Sequence, residues 1–262
     1  MLFNELPGQL RSTLTSPRRR SALPRWVLFN SGSDGFLGGE EVQQVTRECM
    51  EILVAHGVGI SMSTRGMIPQ DLIKRLGKHA RHTRVFVPLV CMDEQYTRAW
   101  EPGATLPQQR LLLVRRLMDA GMHPRVRLDP VIPFVNDTTS LLRATLSAVA
   151  GIGLSSVTVS FMHLRQGVAE QVKEEGPPEQ TTLLLGSFTA QDQGGRLQRI
   201  SLNRVQTCHD RIQALAREYG IKVTVCRCQT PGLPSHACPV LPPELPVPVG
   251  QQEQLSFDEE PE

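Results

Sequence analysis

Between Trp26 and Cys226 the chain alternates short β-rich runs with amphipathic helical stretches, and no other feature limits its fold as tightly. Extended runs start at Trp26 (WVLFN), Val58 (VGISMS), Thr83 (TRVFVPLV), Pro124 (PRVRLD), Ser155 (SSVTVSF) and Ile221 (IKVTVC). The stretches between them carry apolar stripes at helical spacing. The first joins Val42, Val45, Cys49, Ile52 and Leu53, and the second Leu72, Ile73 and Leu76. Leu111, Val114, Leu117 and Met118 form the third, Leu141, Leu142, Leu146 and Val149 the fourth. A last helix aligns Val205, Cys208, Ile212, Leu215, Ala216 and Tyr219. Gly57, Gly121 and Gly220 stand directly before strands, where a left-handed residue closes a helix. Repeated strand–helix units predict a parallel α/β sheet with right-handed crossovers. A closed β/α barrel and an open doubly wound sheet satisfy this periodicity equally.

Composition narrows the class further. Of 262 residues, 40% are hydrophobic and 21% charged, which suits one large buried core rather than a disordered chain. The net charge of +2 provides no general attraction to nucleic acid. No apolar run approaches the roughly 18 residues of a membrane span, and no apolar segment follows the Arg18–Arg20 triplet as in an export signal. The expected compartment is therefore the cytoplasm, with the six cysteines reduced. The reading divides the chain into an irregular segment 1–25, a β/α core 26–165, an irregular excursion 166–202 around EEGPPEQ and QDQGG, a last helix and strand with a Cys-rich loop 203–238, and an unpacked Pro-rich acidic tail 239–262.

In parallel α/β folds the chemistry sits at the carboxyl ends of the strands. Here those ends carry Ser31, Ser33 and Asp34; Ser63, Thr64 and Arg65; Asp93; Asp129, Asn136 and Asp137; and Ser160, His163 and Arg165. Each of them also has an ordinary explanation as a helix cap or polar loop residue.

Three stretches make the pattern specific: MSTRGMIPQDLIKRL (Met62–Leu76), EPGATLPQQRLLLVRRLMDAG (Glu101–Gly121) and RVRLDPVIPFVND (Arg125–Asp137). In this order and spacing, with FMHLRQG near Arg165, they resemble the radical S-adenosylmethionine proteins of the spore photoproduct lyase and DNA-repair-photolyase-like group. The resemblance spans roughly residues 26 to 165. It implies a partial parallel β/α barrel that begins at the family's second strand. It also implies that Ser63, Thr64, Arg65, Asp129 and Arg165 face S-adenosylmethionine or the substrate. Glu101 and Arg110, with Asn136 and Asp137, take either a substrate role or a structural one, Glu101 and Arg110 as an ion pair bracing their loop. Cys91, after the third strand, is placed to donate hydrogen to a substrate radical.

The same resemblance sets a conflict. The family generates its radical on a 4Fe-4S cluster held by a Cys-x-x-x-Cys-x-x-Cys loop, and these 262 residues contain no such motif. The expectation is a truncated or degenerate relative, inactive alone, that depends on a missing amino-terminal segment or a cluster-bearing partner. Nucleic acid enters as a partner by family analogy only. A second metal question lies in VCRCQTPGLPSHACPV, where Cys226, Cys228 and Cys238 with His236 suit a structural Zn or an auxiliary Fe-S cluster, or three thiols without metal. Cys49 and Cys208 fall on apolar helix stripes and are read as core. The alternative function is a noncatalytic, metal-stapled α/β binding or scaffolding protein. A hydrolase or phosphate-binding barrel finds no Gly-rich loop or nucleophile elbow to support it.

Overall fold

The computed structural model describes residues 4–19, 23–165, 167–191, 197–226, 230 and 232–233. In chain order its elements are α1 (Leu6–Thr15), β1 (Trp26–Phe29), α2 (Glu40–Ala55), β2 (Gly59–Ser63), α3 (Gln70–Gly77), β3 (Thr83–Pro88), α4 (Glu94–Trp100), α5 (Pro107–Asp119), β4 (Arg125–Val131), α6 (Thr139–Gly151), β5 (Ser156–Phe161), β6 (His163–Arg165), α7 (Val168–Glu175), α8 (Pro178–Leu185), β7 (Phe188–Gln191), β8 (Leu197–Ile200), α9 (Leu202–Glu218) and β9 (Lys222–Val225). The six runs read from sequence as strands are β1 to β5 and β9. They form one parallel sheet in the order β1-β2-β3-β4-β5-β9.

Because every strand is added on the same side of the one before, the order never reverses and there is no doubly wound switch point. The sheet is of the barrel-winding kind but open, since β1 and β9 do not pair. Register separates its two faces. Val27, Ile60, Val85, Val87, Val126, Leu128, Val157 and Val159 share one face with the buried helix residues Leu53, Ile73, Leu76, Leu117, Leu146 and Ile212 in a single apolar cluster. Each fully buried aliphatic side chain there contributes roughly 1.5–3 kcal/mol. The opposite face carries Ser61, Arg84, Phe86, Arg127, Thr158, Ser160 and Thr224. On that face Thr158 and Thr224 hydrogen-bond through their hydroxyls at 3.0 Å, and the Arg84 guanidinium stacks on Trp26 at 4.3 Å. Gly59 is required beside this stack, since a Cβ would lie 2.6 Å from the Trp26 ring.

The helix stripes hold with one shift: Val42 and Val45 are only half-buried, whereas Met50, in the next turn of α2, is fully buried. Local chemistry sets the helix ends. Asp93 caps α4 by accepting from the Gln95 N–H at 2.7 Å, and Thr138 caps α6 by accepting from Leu141 at 3.3 Å. Gly121 ends the α5 turn at φ 78°, a conformation that a Cβ would strain.

The stretch read as an irregular excursion, 166–202, is more regular than its composition suggests. Its described residues form α7, α8, β7 and β8, and β8 pairs antiparallel with β6 and β7 in a second, three-stranded sheet. Pro178 supplies a first-turn residue for α8, so the EEGPPEQ run starts a helix rather than preventing one. Trp100 donates its indole N–H to Gln180 at 3.3 Å, tying this lobe to α4 across the carboxyl end of the main sheet. Among the described residues, no helix is long and apolar enough to cross a membrane.

Candidate functional site

The polar rim at the carboxyl ends of β1 to β5 begins at Asn30, which leaves β1 in the left-handed region at φ 61°. Its amide donates to Asp34 Oδ1 at 3.1 Å and to the Ser63 carbonyl at 3.0 Å, joining the ends of β1 and β2. Asp34 is the centre of this half. Its carboxylate accepts from the Thr64 hydroxyl at 2.8 and 2.9 Å, from the Arg65 N–H at 2.6 Å and from the Phe36 N–H at 3.0 Å. Thr64 is buried and turns its hydroxyl to Asp34. Gly66 follows where the backbone passes against the Phe36 carbonyl with no room for a Cβ.

Arg65 points the other way, into the rim. Its Nε donates to Glu101 Oε1 at 2.8 Å and its Nη2 to the Asp129 carbonyl at 3.2 Å. Glu101 also receives Arg110 Nη2 at 2.6 Å. Arg110 is 1% exposed, and its remaining donors reach the Thr105 carbonyl at 2.6 Å and the Pro88 carbonyl at 3.0 Å. The Glu101–Arg110 pair therefore exists as a buried ion pair that fixes the EPG loop against β3. Cys91, after β3, is buried, and its Sγ accepts from the Asp93 N–H at 3.4 Å. Burial, with the nearby Asp93 and Glu101 carboxylates, pushes its thiol pKa up, so it stands as a neutral thiol.

At β4 and β5 the arrangement is looser. Arg127 Nη2 meets Asp129 Oδ2 at 2.6 Å and the Ser160 hydroxyl at 3.5 Å. Asp129 Oδ1 accepts no hydrogen bond among the described residues, and the Asp129 side chain is 18% exposed. His163 lies half-buried beside this pair, with Nδ1 lacking a hydrogen-bond partner among the described residues. Burial and the charges of Arg165 and Arg199 hold its pKa below the usual histidine value, against the opposing pull of Asp129. Arg165 is exposed on β6, in the smaller sheet.

Asn136 and Asp137 build the loop after β4. Asn136 Oδ1 accepts from the Ile132 N–H at 2.8 Å, while its amide donates to the Tyr96 hydroxyl at 3.0 Å and to the Pro130 carbonyl at 3.1 Å. Asp137 Oδ1 accepts from the Phe134 N–H at 2.8 Å, and its carbonyl accepts from Arg211 at 2.8 Å. Arg204 stacks on the Phe134 ring at 3.8 Å. Both residues thus hold backbone in the arrangement seen here.

The structure brings Arg65, Glu101, Arg110 and Asp129 into one connected network, with Thr64 behind it and Arg165 apart on the smaller sheet. Sequence reading passed over Asn30, Tyr96, Arg127 and Arg204. Arg127 had a legible signal, a charge at an inward position of an otherwise alternating strand. Tyr96 had none.

The described residues do not fit a 4Fe-4S cluster. Among the described residues, no group of three or more His, Cys, Asp or Glu side chains is placed to hold a metal. Cys49, Cys91, Cys208 and Cys226 are each buried, and burial raises the Cys208 pKa to about 12. Cys226 closes β9, while Cys228, Cys238 and His236, the rest of that proposed metal set, lie outside the described residues. Arg65, its side chain 35% exposed, uses Nε and Nη2 for Glu101 and the Asp129 carbonyl.

No protein-family model matches the chain. An uncharacterized protein of Mycobacterium tuberculosis is 28% identical over 150 residues, covering 56% of this chain and 44% of that protein. An uncharacterized protein of Acidianus two-tailed virus is 22% identical over 154 residues, covering 56% of this chain and 50% of that one. The chain spans about half the length of the curated relatives it matches. Among solved structures, spore photoproduct lyase complexed with dinucleoside spore photoproduct superposes with a TM-score of 0.62 at 13% identity, over 84% of this chain and 65% of that one. A variant of the same lyase with bound AdoMet and dinucleoside spore photoproduct gives a TM-score of 0.62, also at 13% identity. The chain therefore has the fold of spore photoproduct lyase, here as an open six-stranded sheet.

Proposed function

We propose that this chain is a relative of spore photoproduct lyase that keeps a rim for the amino acid end of S-adenosylmethionine and, with these residues alone, does not cleave it. The observation that carries the reading is the junction of Arg65 and Asp129. The Arg65 Nη2 contact with the Asp129 carbonyl at 3.2 Å brings this guanidinium to the residue whose carboxylate Arg127 meets at 2.6 Å. The guanidinium and the carboxylate complement an α-carboxylate and an α-ammonium group respectively.

A 4Fe-4S cluster would supply the electron for reductive cleavage, and the described cysteines do not fit one. What this chain's residues do is bind and orient. Glu101 and the Asp129 carbonyl fix the plane of the Arg65 guanidinium. Arg127 holds the Asp129 carboxylate through its Oδ2 at 2.6 Å.

The test is equilibrium dialysis with radiolabelled S-adenosylmethionine, together with an anaerobic assay for 5′-deoxyadenosine. Saturable binding is expected, weakened at least about tenfold by Arg65→Met and by Asp129→Asn, an amount corresponding to one lost charged hydrogen bond. Binding with no 5′-deoxyadenosine under reducing conditions supports the reading. Absence of saturable binding up to millimolar ligand in a folded protein overturns it and favours the noncatalytic scaffold. Zinc, iron and sulfide analysis of the wild type and the Cys226→Ala, Cys228→Ala, Cys238→Ala variant then decides whether such a scaffold is metal-stapled.

A further inference from the structure

We infer that the amino end of the sheet's polar face binds a dianionic phosphate group, held by Arg125 and Lys222 with the Ser156 hydroxyl between them. The inference is independent of the proposed function, whose rim lies at the opposite end of the strands. The basic residues of the six strands are Arg84, Arg125, Arg127 and Lys222, and the acidic one is Asp129. All four cations fall on the polar face. Arg84 and Arg127 belong to it, Arg125 precedes Arg127 by two residues, and Lys222 precedes Thr224 by two. Asp129 offsets Arg127. The amino end of this face therefore carries positive charge that no acidic residue of the sheet balances.

Register sets two of these cations in one row. Val126 pairs with Val157, which puts Arg125 opposite Ser156, and Ser156 pairs with Lys222. Partners in a parallel pair turn their side chains to the same side. Neighbouring strands lie about 4.8 Å apart, so Arg125 and Lys222 flank Ser156 with roughly 10 Å between their Cα atoms. The Lys222 N–H donates to the Ser155 carbonyl at 2.8 Å, which fixes β9 against the start of β5. Arg125, Ser156 and Lys222 are all exposed, whereas Arg127, Thr158 and Ser160, further along the same face, are buried. The face is thus closed in its middle and open to solvent at this row.

The donor set selects the ligand. A guanidinium offers paired N–H groups to two oxygens of one anion, an ammonium adds a compact charge, and a hydroxyl donates a further hydrogen bond. Two positive charges and three kinds of donor suit a tetrahedral dianion, whereas a carboxylate has one charge and two oxygens. Arg125 and Lys222 carry their charges on long stems from either side of the short Ser156, so both can reach one anion above it. Orthophosphate and phosphate monoesters take the dianionic form above a second pKa of about 6. A phosphodiester keeps one charge and two terminal oxygens, and for that reason fits the row less well.

NMR titration of the isotope-labelled full chain tests this, with orthophosphate, glycerol phosphate and dimethyl phosphate as ligands at about pH 7.5, where the first two are mostly dianions. Ionic strength is held constant with sodium chloride. Saturable shifts centred on the amides of Arg125, Ser156 and Lys222 are expected with orthophosphate. Equal binding of glycerol phosphate would identify the source as a phosphorylated organic ligand, and binding of orthophosphate alone would identify it as the free anion; either supports the site. Dimethyl phosphate should bind at least about tenfold more weakly than orthophosphate. Arg125→Gln and Lys222→Gln should each weaken orthophosphate binding at least about tenfold, the loss of one charged hydrogen bond, and Ser156→Ala about threefold. Lys173→Gln on α7, an equally exposed cation, should leave it unchanged. Circular dichroism confirms that each variant is folded. Orthophosphate shifts that do not saturate below about 50 mM, an affinity weaker than about 2 kcal/mol, overturn the inference. So does a diester that binds as tightly as orthophosphate, or binding that survives both Arg125→Gln and Lys222→Gln.

Discussion

The two halves of the rim differ in how their polar atoms are engaged. On the β1–β3 side, Asp34 and the Glu101–Arg110 pair direct nearly every donor and acceptor at the protein itself. On the β4–β5 side, among the described residues, Asp129 is held through Oδ2 alone and His163 Nδ1 has no hydrogen-bond partner. A saturated network resists change and has nothing left for a ligand; a partly satisfied one stabilises less and remains available. Arg65 belongs to both halves, and for that reason it is the residue on which the proposed binding turns.

The contrast makes its largest prediction at Arg110. Arg110→Ala leaves Glu101, 7% exposed, as a buried carboxylate that has lost its strongest partner, and should cost about 3–5 kcal/mol in urea denaturation. Arg110→Lys should recover only part of this, because one ammonium cannot reach Thr105, Pro88 and Glu101 in the directions that the planar guanidinium does. A loss under about 1 kcal/mol for Arg110→Ala would break the distinction between the halves. Next in size, Asp34→Ala strips an acceptor from Asn30, Phe36, Thr64 and Arg65 together. Its half-buried position lets water replace some of those bonds, so about 2 kcal/mol is expected.

These two networks also mark what the sequence could and could not reveal. The apolar stripes and the strand-ending polar residues were legible because period and position are local properties. The Glu101–Arg110 pair was legible as one of two roles, since both residues stand in one short stretch. The choice between barrel and open sheet was not, because β1 and β9 are far apart in sequence and whether their edges meet depends on sheet curvature. Thr64 and Arg65 were read alike as ligand-facing, yet Thr64 turns inward to Asp34 while Arg65 reaches the rim. Adjacent residues of an extended segment point to opposite sides, and sequence does not say which side is the mouth. The helices and strands of 167–200 were hidden because their hydrophobic pattern is short and interrupted by Gly and Pro.

A smaller, pH-dependent effect comes from the two histidines with depressed pKa values. Burial keeps His209 on α9 neutral, while burial with Arg165 and Arg199 does so for His163. In the unfolded chain both take up a proton near pH 6.5. Between that value and their lower folded values the unfolded state binds more protons, so stability falls as pH falls through this window and is unaffected by these groups above about pH 7. The slope is at most about 1.4 kcal/mol per pH unit for each histidine. Denaturation midpoints between pH 7.5 and 5 should flatten in His209→Leu relative to wild type. An unchanged slope would mean that His209 is protonated within the fold.

The smallest expected effect probes the open half most directly. His163→Ala removes a ring whose Nδ1 has no bond to lose and whose charged form is opposed by two arginines. Its cost in stability should stay under about 1 kcal/mol, most of it lost packing. Its titration is the sharper readout. In NMR the His163 imidazole should titrate below the ordinary histidine value in wild type, and Asp129→Asn should lower it further, because Asp129 is the charge that raises it. Adding S-adenosylmethionine should shift it in the same direction if the ammonium group neutralises Asp129. A His163→Ala loss above about 2 kcal/mol would instead show that this half is as tightly engaged as the Asp34 side, and the two halves of the rim would then be one scaffold.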